Sequence, residues 1–217
     1  MNKMKRISSK LYFVLGVVCF ALGISGCLSI PNSPTPRFYA LTAIEDTQVS
    51  KKINLPSDVI IGVGPVKIPG YQERPQIVTL NKDKMLQFAQ FDRWGEPLDL
   101  GIARLIREDI TAILPQAKWT LYPWNPAMAV KYQVVLEVVQ LESEFDRDMF
   151  LVVQWTVIDV KNSKTVIIKR STFRNAITPP TYSGLARTLS RACASLSSQI
   201  AHELGTLKIK EIPSSTT

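Results

Sequence analysis

Apolar side chains at Leu98, Ile102, Leu105, Ile106, Ile110 and Ile113 recur at intervals of three and four, the period of one face of an α-helix. The spacing predicts a helix that begins at Leu98. Pro97 suits its first position, where a missing N–H is not needed. Asp99 brings negative charge to the first turn, and Pro115 stops the helix. The same period returns at Leu185, Leu189, Leu196, Ile200 and Leu204, with Ala192 and Cys193 between them, which predicts a second helix with Gly205 as its C-cap. Elsewhere the period falls to two. The runs "KYQVVLEVVQLES", "MFLVVQWTVIDV" and "TVIIKRSTF", separated by "EFDRD" and "KNSK", read as a meander of strands. In the second run Leu151, Val153, Trp155 and Val157 share one face, while Gln154 and Thr156 share the other. That alternation fits a sheet covered on one side. Upstream, "VIIGVGPVKI" (59–68) reads as a strand whose Gly64-Pro65 marks a bulge or an edge. "QIVTL" and "MLQFAQF" form a hairpin about "NKDK", and "KWTLYPW" contains a short strand. The elements predict an α+β fold: a single domain with a largely antiparallel sheet and two amphipathic helices packed on one face.

The first thirty residues follow another pattern. "MNKMKRISSK" holds Lys3, Lys5, Arg6 and Lys10 and no acid; an apolar run follows and ends in "ISGC". A basic start, an apolar middle and a small-residue end make a secretory signal. "ISGC" resembles the bacterial lipobox, in which the cysteine thiol becomes a thioether to diacylglycerol and the freed amine takes a further acyl chain. Cys27 is therefore the expected lipidation site, the covalent lipid being the one prosthetic group expected; no cofactor or metal is. The uncharged stretch 11–30 is also long enough to cross a bilayer, but Gly16, Gly23, Ser25, Gly26 and Ser29 dilute it. Leu28, where an aspartate would signal retention in the inner membrane, favours the outer membrane of a Gram-negative envelope, on its periplasmic face. After the anchor, "LSIPNSPTPR" is stiffened by Pro31, Pro34 and Pro36. In extended form, at ~3.1 Å per residue, it reaches about 30 Å from the membrane. The expected division is thus a leader over 1–27, a tether over 28–37, the α+β domain over 38–210 and a flexible tail over 211–217.

Charge changes this picture little. The chain carries 26 basic and 18 acidic residues. Without the leader's four bases, 22 stand against 18, a balance of +4, too mild to argue for nucleic acid. Of the three cysteines, only Cys193 is left as a thiol in the folded part, so no disulfide forms within one mature chain.

Little in the chain promises catalysis. "GVGP" at 62–65 lies inside a strand pattern and is no phosphate loop. His202, the one histidine, sits near the end of the second predicted helix, where a cation suits the dipole. Cys193 lies along an apolar stripe and reads as a small core residue. Glu142 and Glu144 have no second group to complete a site. Arg187 and Arg191, with Lys161, Lys164, Lys169, Arg170 and Arg174 in the meander, make either a solvated face or a surface for an acidic partner or anionic headgroups. Trp94, Trp119, Trp124, Tyr71 and Tyr122 serve packing or an interface. No catalytic residues are expected.

"PGYQERPQIVTL", then "FDRWGEPL" and the helix that follows resemble the PqiC family of auxiliary lipoproteins, which accompany intermembrane transport systems built on MCE-domain proteins. The residues that carry the likeness are Tyr71, Arg74, Pro75, Gln76, Ile77 and Val78, then Trp94, Glu96, Pro97 and Leu98. Gln72 and Glu73 depart from the Leu-Asp expected there. The resemblance extends over nearly the whole mature chain and offers no catalytic residue. It implies a lipid-anchored periplasmic partner of a lipid-carrying MCE assembly that aids transport between the membranes or maintains the envelope. It leaves open a Pqi-like or an ABC-driven system, and a homo-oligomer. The competing class is an independent ligand-binding or hydrolytic envelope lipoprotein. Tyr71, Arg74, Trp94 and Glu96 are the candidate interface residues: Tyr71–Arg74 as an exposed turn, Trp94 beside it, and Arg74 and Glu96 as structural or interfacial and as a candidate pair with each other.

Overall fold

The three-and-four spacing from Leu98 becomes helix α1, Leu98–Ile113, which buries Leu98, Ile102, Leu105, Ile106, Ile110 and Ile113. Pro97 stands one place earlier than expected. Its ψ of 131° makes it the N-cap rather than the first helical residue. Leu114 closes the helix by donating its N–H to the Ile110 carbonyl at 2.7 Å, and Pro115 follows. The second spacing becomes α2, Tyr182–Thr206, capped by the Thr181 hydroxyl, which accepts from the Gly184 N–H at 3.1 Å. Gly205 is not the C-cap. The helix runs through it to Thr206, and Leu207 ends it with its N–H on the Leu204 carbonyl at 3.2 Å.

In this computed structural model, residues 34–43 and 59–207 are described. The leader, Cys27, the tether as far as residue 33 and the tail over 211–217 lie outside the described residues, and no helix among the described ones is long and apolar enough to cross a membrane. The strands are β1 Arg37–Tyr39, β2 Ile60–Lys67, β3 Gln76–Leu80, β4 Leu86–Trp94, β5 Lys118–Leu121, β6 Val130–Ser143, β7 Asp148–Asp159 and β8 Lys164–Ala176. Arg37, the last residue of the expected tether, is already in β1.

The class is α+β, as expected, and the described residues from Pro36 onward form one compact unit. The strands divide into two mixed sheets, ordered β5-β2-β6-β7-β8 and β1-β4-β3. The meander β6-β7-β8 is antiparallel along its full length, and so is the β3-β4 hairpin. β2 runs parallel to both β5 and β6, and β1 runs parallel to β4. Gly64-Pro65 is a bulge in the middle of a sheet, not an edge: the register with β6 slips between Val63 and Val66. Gly64 has φ +104°, a backbone that side chains with a Cβ rarely adopt.

The two helices pack on each other and share one face of the larger sheet, α1 over β2 and β5, and α2 over β7 and β8. Leu151, Val153, Trp155 and Val157 of β7 are all buried beneath them, as the alternation requires. On the opposite face Gln154 is exposed. Because α1 runs back along parallel strands, its N-terminus lies at the carboxyl end of β2. That geometry positions the site described below.

A polar cluster joins β1 to β4. Arg37 donates to both Asp92 carboxylate oxygens, at 2.8 and 2.7 Å, and the Tyr39 hydroxyl donates at 2.7 Å. Burial alone would push the Asp92 carboxyl up. The hydrogen bonds from Arg37 and Tyr39 and the guanidinium charge outweigh burial and hold it below the usual carboxylate range. A carboxyl depressed in the folded state stabilises the fold above its unfolded value, near pH 4, and loses that contribution as pH falls through the folded value. The slope of unfolding free energy against pH below about 4 is therefore expected to be shallower in Asp92→Asn than in the wild type. Urea titrations at stepped pH check this. Equal slopes would mean that Asp92 is not held in this way.

Candidate functional site

Pro69 and Gly70 turn the chain out of β2 into a single 3₁₀ turn, Gly70–Gln72. The turn is fixed to β6. The Tyr71 hydroxyl and the Gln72 side-chain amide both donate to the Leu141 carbonyl, at 3.2 and 3.1 Å. Glu73, Arg74 and Pro75 are thereby held outward as exposed backbone leading into β3. At the end of β4, the Trp94 N–H donates to the Pro75 carbonyl at 2.8 Å, and the Gly95 N–H to the Tyr39 carbonyl at 2.8 Å. These bonds bring the two motifs of the sequence together as facing walls.

Between them lies an open cleft of about 820 Å³. Val66, Lys67 and Ile68 at the carboxyl end of β2 line one side, Glu73, Arg74 and Pro75 a second, and Trp94 with the first turn of α1 through Asp99 the third. The walls are mainly apolar, from Val66, Ile68, Pro75, Trp94, Pro97 and Leu98. Lys67, Glu73, Arg74, Glu96 and Asp99 add charge. Trp94 is 6 % exposed, and its indole Nε1 is buried without a hydrogen-bond partner among the described residues.

Three of the four candidate interface residues thus share one cleft, with changed roles. Tyr71 does not line it; its hydroxyl is occupied in pinning the turn. Trp94 is a wall of the cleft and part of the core, not an exposed anchor. Arg74 and Glu96 are not paired with each other. The Arg74 guanidinium lies over the Phe88 ring, 4.2 Å from its centroid. Glu96 accepts from Arg104 at 2.6 and 3.0 Å. Arg104 also reaches Glu108 at 3.0 Å and the Leu41 carbonyl at 3.1 Å. The Glu96 hydrogen bonds raise the Arg104 guanidinium pKa, so Arg104 stays charged. Sequence could not decide between these partners, because Arg104 lies nearly two helical turns inside a segment read for its apolar face. Arg74→Ala and Glu96→Ala are accordingly expected to lose stability additively, within about 0.3–0.5 kcal/mol. Melts of both single variants and the double variant check this, and a coupling above ~1 kcal/mol would contradict the assignment. Glu73 falls inside the Tyr71–Arg74 turn expected at the contact surface, whereas Lys67, Ile68 and Asp99 join the site from outside the residues named for it. Their motif neighbours were the only signal.

The other candidates take structural places. Burial, and then the negative charge of Asp109, push the Cys193 thiol up to about 12, so it is not a thiolate at neutral pH. Glu144 holds Lys84 and lies 3.8 Å from Arg147, and Gln140 donates to Glu142 at 2.7 Å. In the basic cluster, Lys169 meets Glu203 at 2.5 Å and Arg174 meets Asp148 at 3.5 Å, while Lys161, Lys164, Arg170, Arg187 and Arg191 are exposed. His202 is exposed near the end of α2. Trp119 and Trp124 are half-buried and Tyr122 is exposed, with the Tyr122 and Trp124 rings edge to face at 5.6 Å.

Residues 39–201 match the family model described as an ABC-type transport auxiliary lipoprotein component. Two solved structures share the fold. One, an uncharacterized protein, superposes with a TM-score of 0.64 at 16% identity, covering 79% of this chain and 99% of its own. The other, a Xanthomonas campestris protein of the DUF330 family, gives 0.61 at 10% identity, covering 77% and 94%. No curated protein sequence matches the chain.

Proposed function

The chain belongs to the family of ABC-type transport auxiliary lipoprotein components, and from that membership we propose that it is a lipid-anchored accessory subunit of an MCE-type intermembrane lipid transport system, seated on the periplasmic face of the outer membrane and supporting envelope integrity. A transport-auxiliary lipoprotein is not a member of a known enzyme family. Its work is contact: the acyl chains on Cys27 fix it to the membrane, the proline-rich tether sets its reach, and the domain presents a surface to the transport protein. The observation that carries this reading is the cleft. Two motifs distant in sequence are tied into facing walls by the Trp94–Pro75 backbone bond, so the segments that carry the family likeness also build a shaped concavity at the carboxyl end of β2. Concave, mainly apolar sites with a few placed polar groups are where proteins bind.

Pull-down of the full-length chain from detergent-solubilised envelopes tests the reading. Enrichment of an MCE-domain protein over a control lipoprotein is expected. A size measurement on the same material reads whether like subunits assemble. The volume of the cleft also suits an independent ligand-binding lipoprotein. Purification with a small molecule and without any transport protein would replace the first reading by that one.

A further inference from the structure

We propose that the outer side of the small sheet β1-β4-β3 lies against the membrane surface that carries the anchor, with Phe38, Phe88 and Leu86 at the lipid boundary and Arg74 and Arg93 toward the phosphate headgroups. This rests on the reading of the chain as a lipid-anchored subunit and names the face that the bilayer takes.

The first ground is the register. Paired residues of neighbouring strands share one side of a sheet. Arg93 pairs with Phe38 on one flank and with Gln76 on the other. Farther along β3, Val78 pairs with Phe88 and Leu80 with Leu86. Between these pairs, residues 89–92 stand opposite Ile77 alone, an odd excess that returns Phe88 to the side of Arg93. Phe38, Val78, Leu80, Leu86 and Phe88 therefore form one face with Gln76 and Arg93. Ile77, Ala89 and Trp94, on the reverse side, belong to the core, whereas Val78 is buried outside it.

The second ground is composition. Phe38 is 66 % exposed and Phe88 48 %. Leu86 and its neighbour Met85 are exposed as well. Large apolar side chains grouped in the open mark a contact surface. The three strands put Arg93 and no carboxylate on this side, and the Arg74 guanidinium lies over the Phe88 ring. Apolar groups that enter the acyl boundary, with cations beside them for the phosphates, make a membrane-binding face.

The third ground is where the tether ends. Residues 28–37 reach about 30 Å in extended form and lead directly into β1, whose second residue is Phe38. The strand that receives the anchor is thus part of the face. A tethered contact is intramolecular, at an effective concentration on the order of millimolar, so a modest patch suffices. A second copy laid on the same face would bring further arginines and, from these strands, no carboxylate to meet them.

The acylated full-length chain, reconstituted into vesicles of phosphatidylethanolamine and phosphatidylglycerol, tests this. An environment-sensitive fluorophore is placed on one added cysteine: Phe38→Cys, Leu86→Cys, or Ile168→Cys on β8, an exposed control outside the small sheet. Cys193 is buried and stays unlabelled. Blue-shifted emission, and quenching by phospholipid spin-labelled near its headgroup, are expected at positions 38 and 86 and not at 168. Position 86 lies across the sheet from the tether, so its quenching reads a seated face rather than the nearness of β1 to the anchor. Phe38→Ser combined with Phe88→Ser is expected to abolish the quenching at position 86 with little change in Tm, because both rings are exposed. Absence of quenching at 86, equal quenching at all three positions, or quenching at 86 that survives the double substitution would each overturn the proposal. So would a blue shift that arises in detergent without lipid and grows with protein concentration, which would assign the face to a second copy. Acylation and sedimentation with the vesicles read the anchor separately. An acylated chain that sediments without quenching at 86 removes the face alone, and a chain that carries no acyl group removes the reading beneath it.

Discussion

Replacing Trp155 by alanine is expected to destabilise the domain by about 3–5 kcal/mol. Trp155 lies in β7 under α2 and is 1 % exposed, so truncation leaves a large apolar void. The indole also begins a relay across three elements. Its Nε1 donates to the Ser171 hydroxyl of β8 at 3.0 Å, and that hydroxyl donates to the Gln199 side-chain oxygen of α2 at 2.5 Å. Truncation removes the donor on which Ser171 relies. Trp155→Phe keeps most of the packing and loses the hydrogen bond, worth about 0.5–1.5 kcal/mol net, so it is expected to cost less than alanine. Urea unfolding checks both, through a lowered midpoint at unchanged slope. Domains of this kind have only about 5–15 kcal/mol in all, so the alanine variant should be visibly close to unfolding. A loss below ~1 kcal/mol would mean that α2 is not held to the sheet through this residue.

Cys27→Ser is expected to abolish membrane anchoring and to leave the domain folded. The ground is the sequence "ISGC" after a basic and apolar leader. Each buried methylene contributes about 0.8 kcal/mol to membrane attachment, and one chain alone holds only marginally, so stable residence depends on multiple acyl chains at one thiol and its amine. Growth with a labelled fatty acid, followed by fractionation, reads both parts. The wild type should carry label and sediment with membranes. The serine variant should carry none, leave the lipoprotein fraction, and melt like the wild type. Equal labelling of the two would remove the lipoprotein assignment of Cys27.

What the amino-acid pattern showed, and what it hid, follows from the range of the interactions. Helices and the meander are written in short periods. The stripe from Leu98 to Ile113 and the alternation from Leu151 to Val157 each depend on neighbours within a few residues, and both appear where expected. Parallel pairing carries no such mark. β2 meets β5 and β6 only after the chain has passed through α1, and nothing in "VIIGVGPVKI" specifies either neighbour. The split into two sheets was hidden for the same reason. The β3-β4 hairpin is local, but its pairing with the distant three-residue β1 and with no strand of the larger sheet is not written in either segment. The C-cap failed at Gly205 because a glycine near the end of a stripe is a permission to stop, not a requirement. In the site, the motif residues were legible as motifs, but their meeting was not. Arg74 and Glu96 looked like partners because they are of opposite charge in neighbouring motifs. Phe88 and Arg104 take those places, since β4 passes under the turn and α1 turns Arg104 back over Glu96.

On the proposed function, this lipoprotein works by contact with a transport protein through the cleft that its two motifs build. A photo-crosslinking amino acid placed at Pro75, on the rim, and separately at Val139 on β6, an exposed position outside the cleft, tests it in intact cells. Adducts with an MCE-domain protein are expected from position 75 and not from position 139. An adduct from 139 alone, or none with a transport protein from either position while both variants remain folded and membrane-bound, would contradict it.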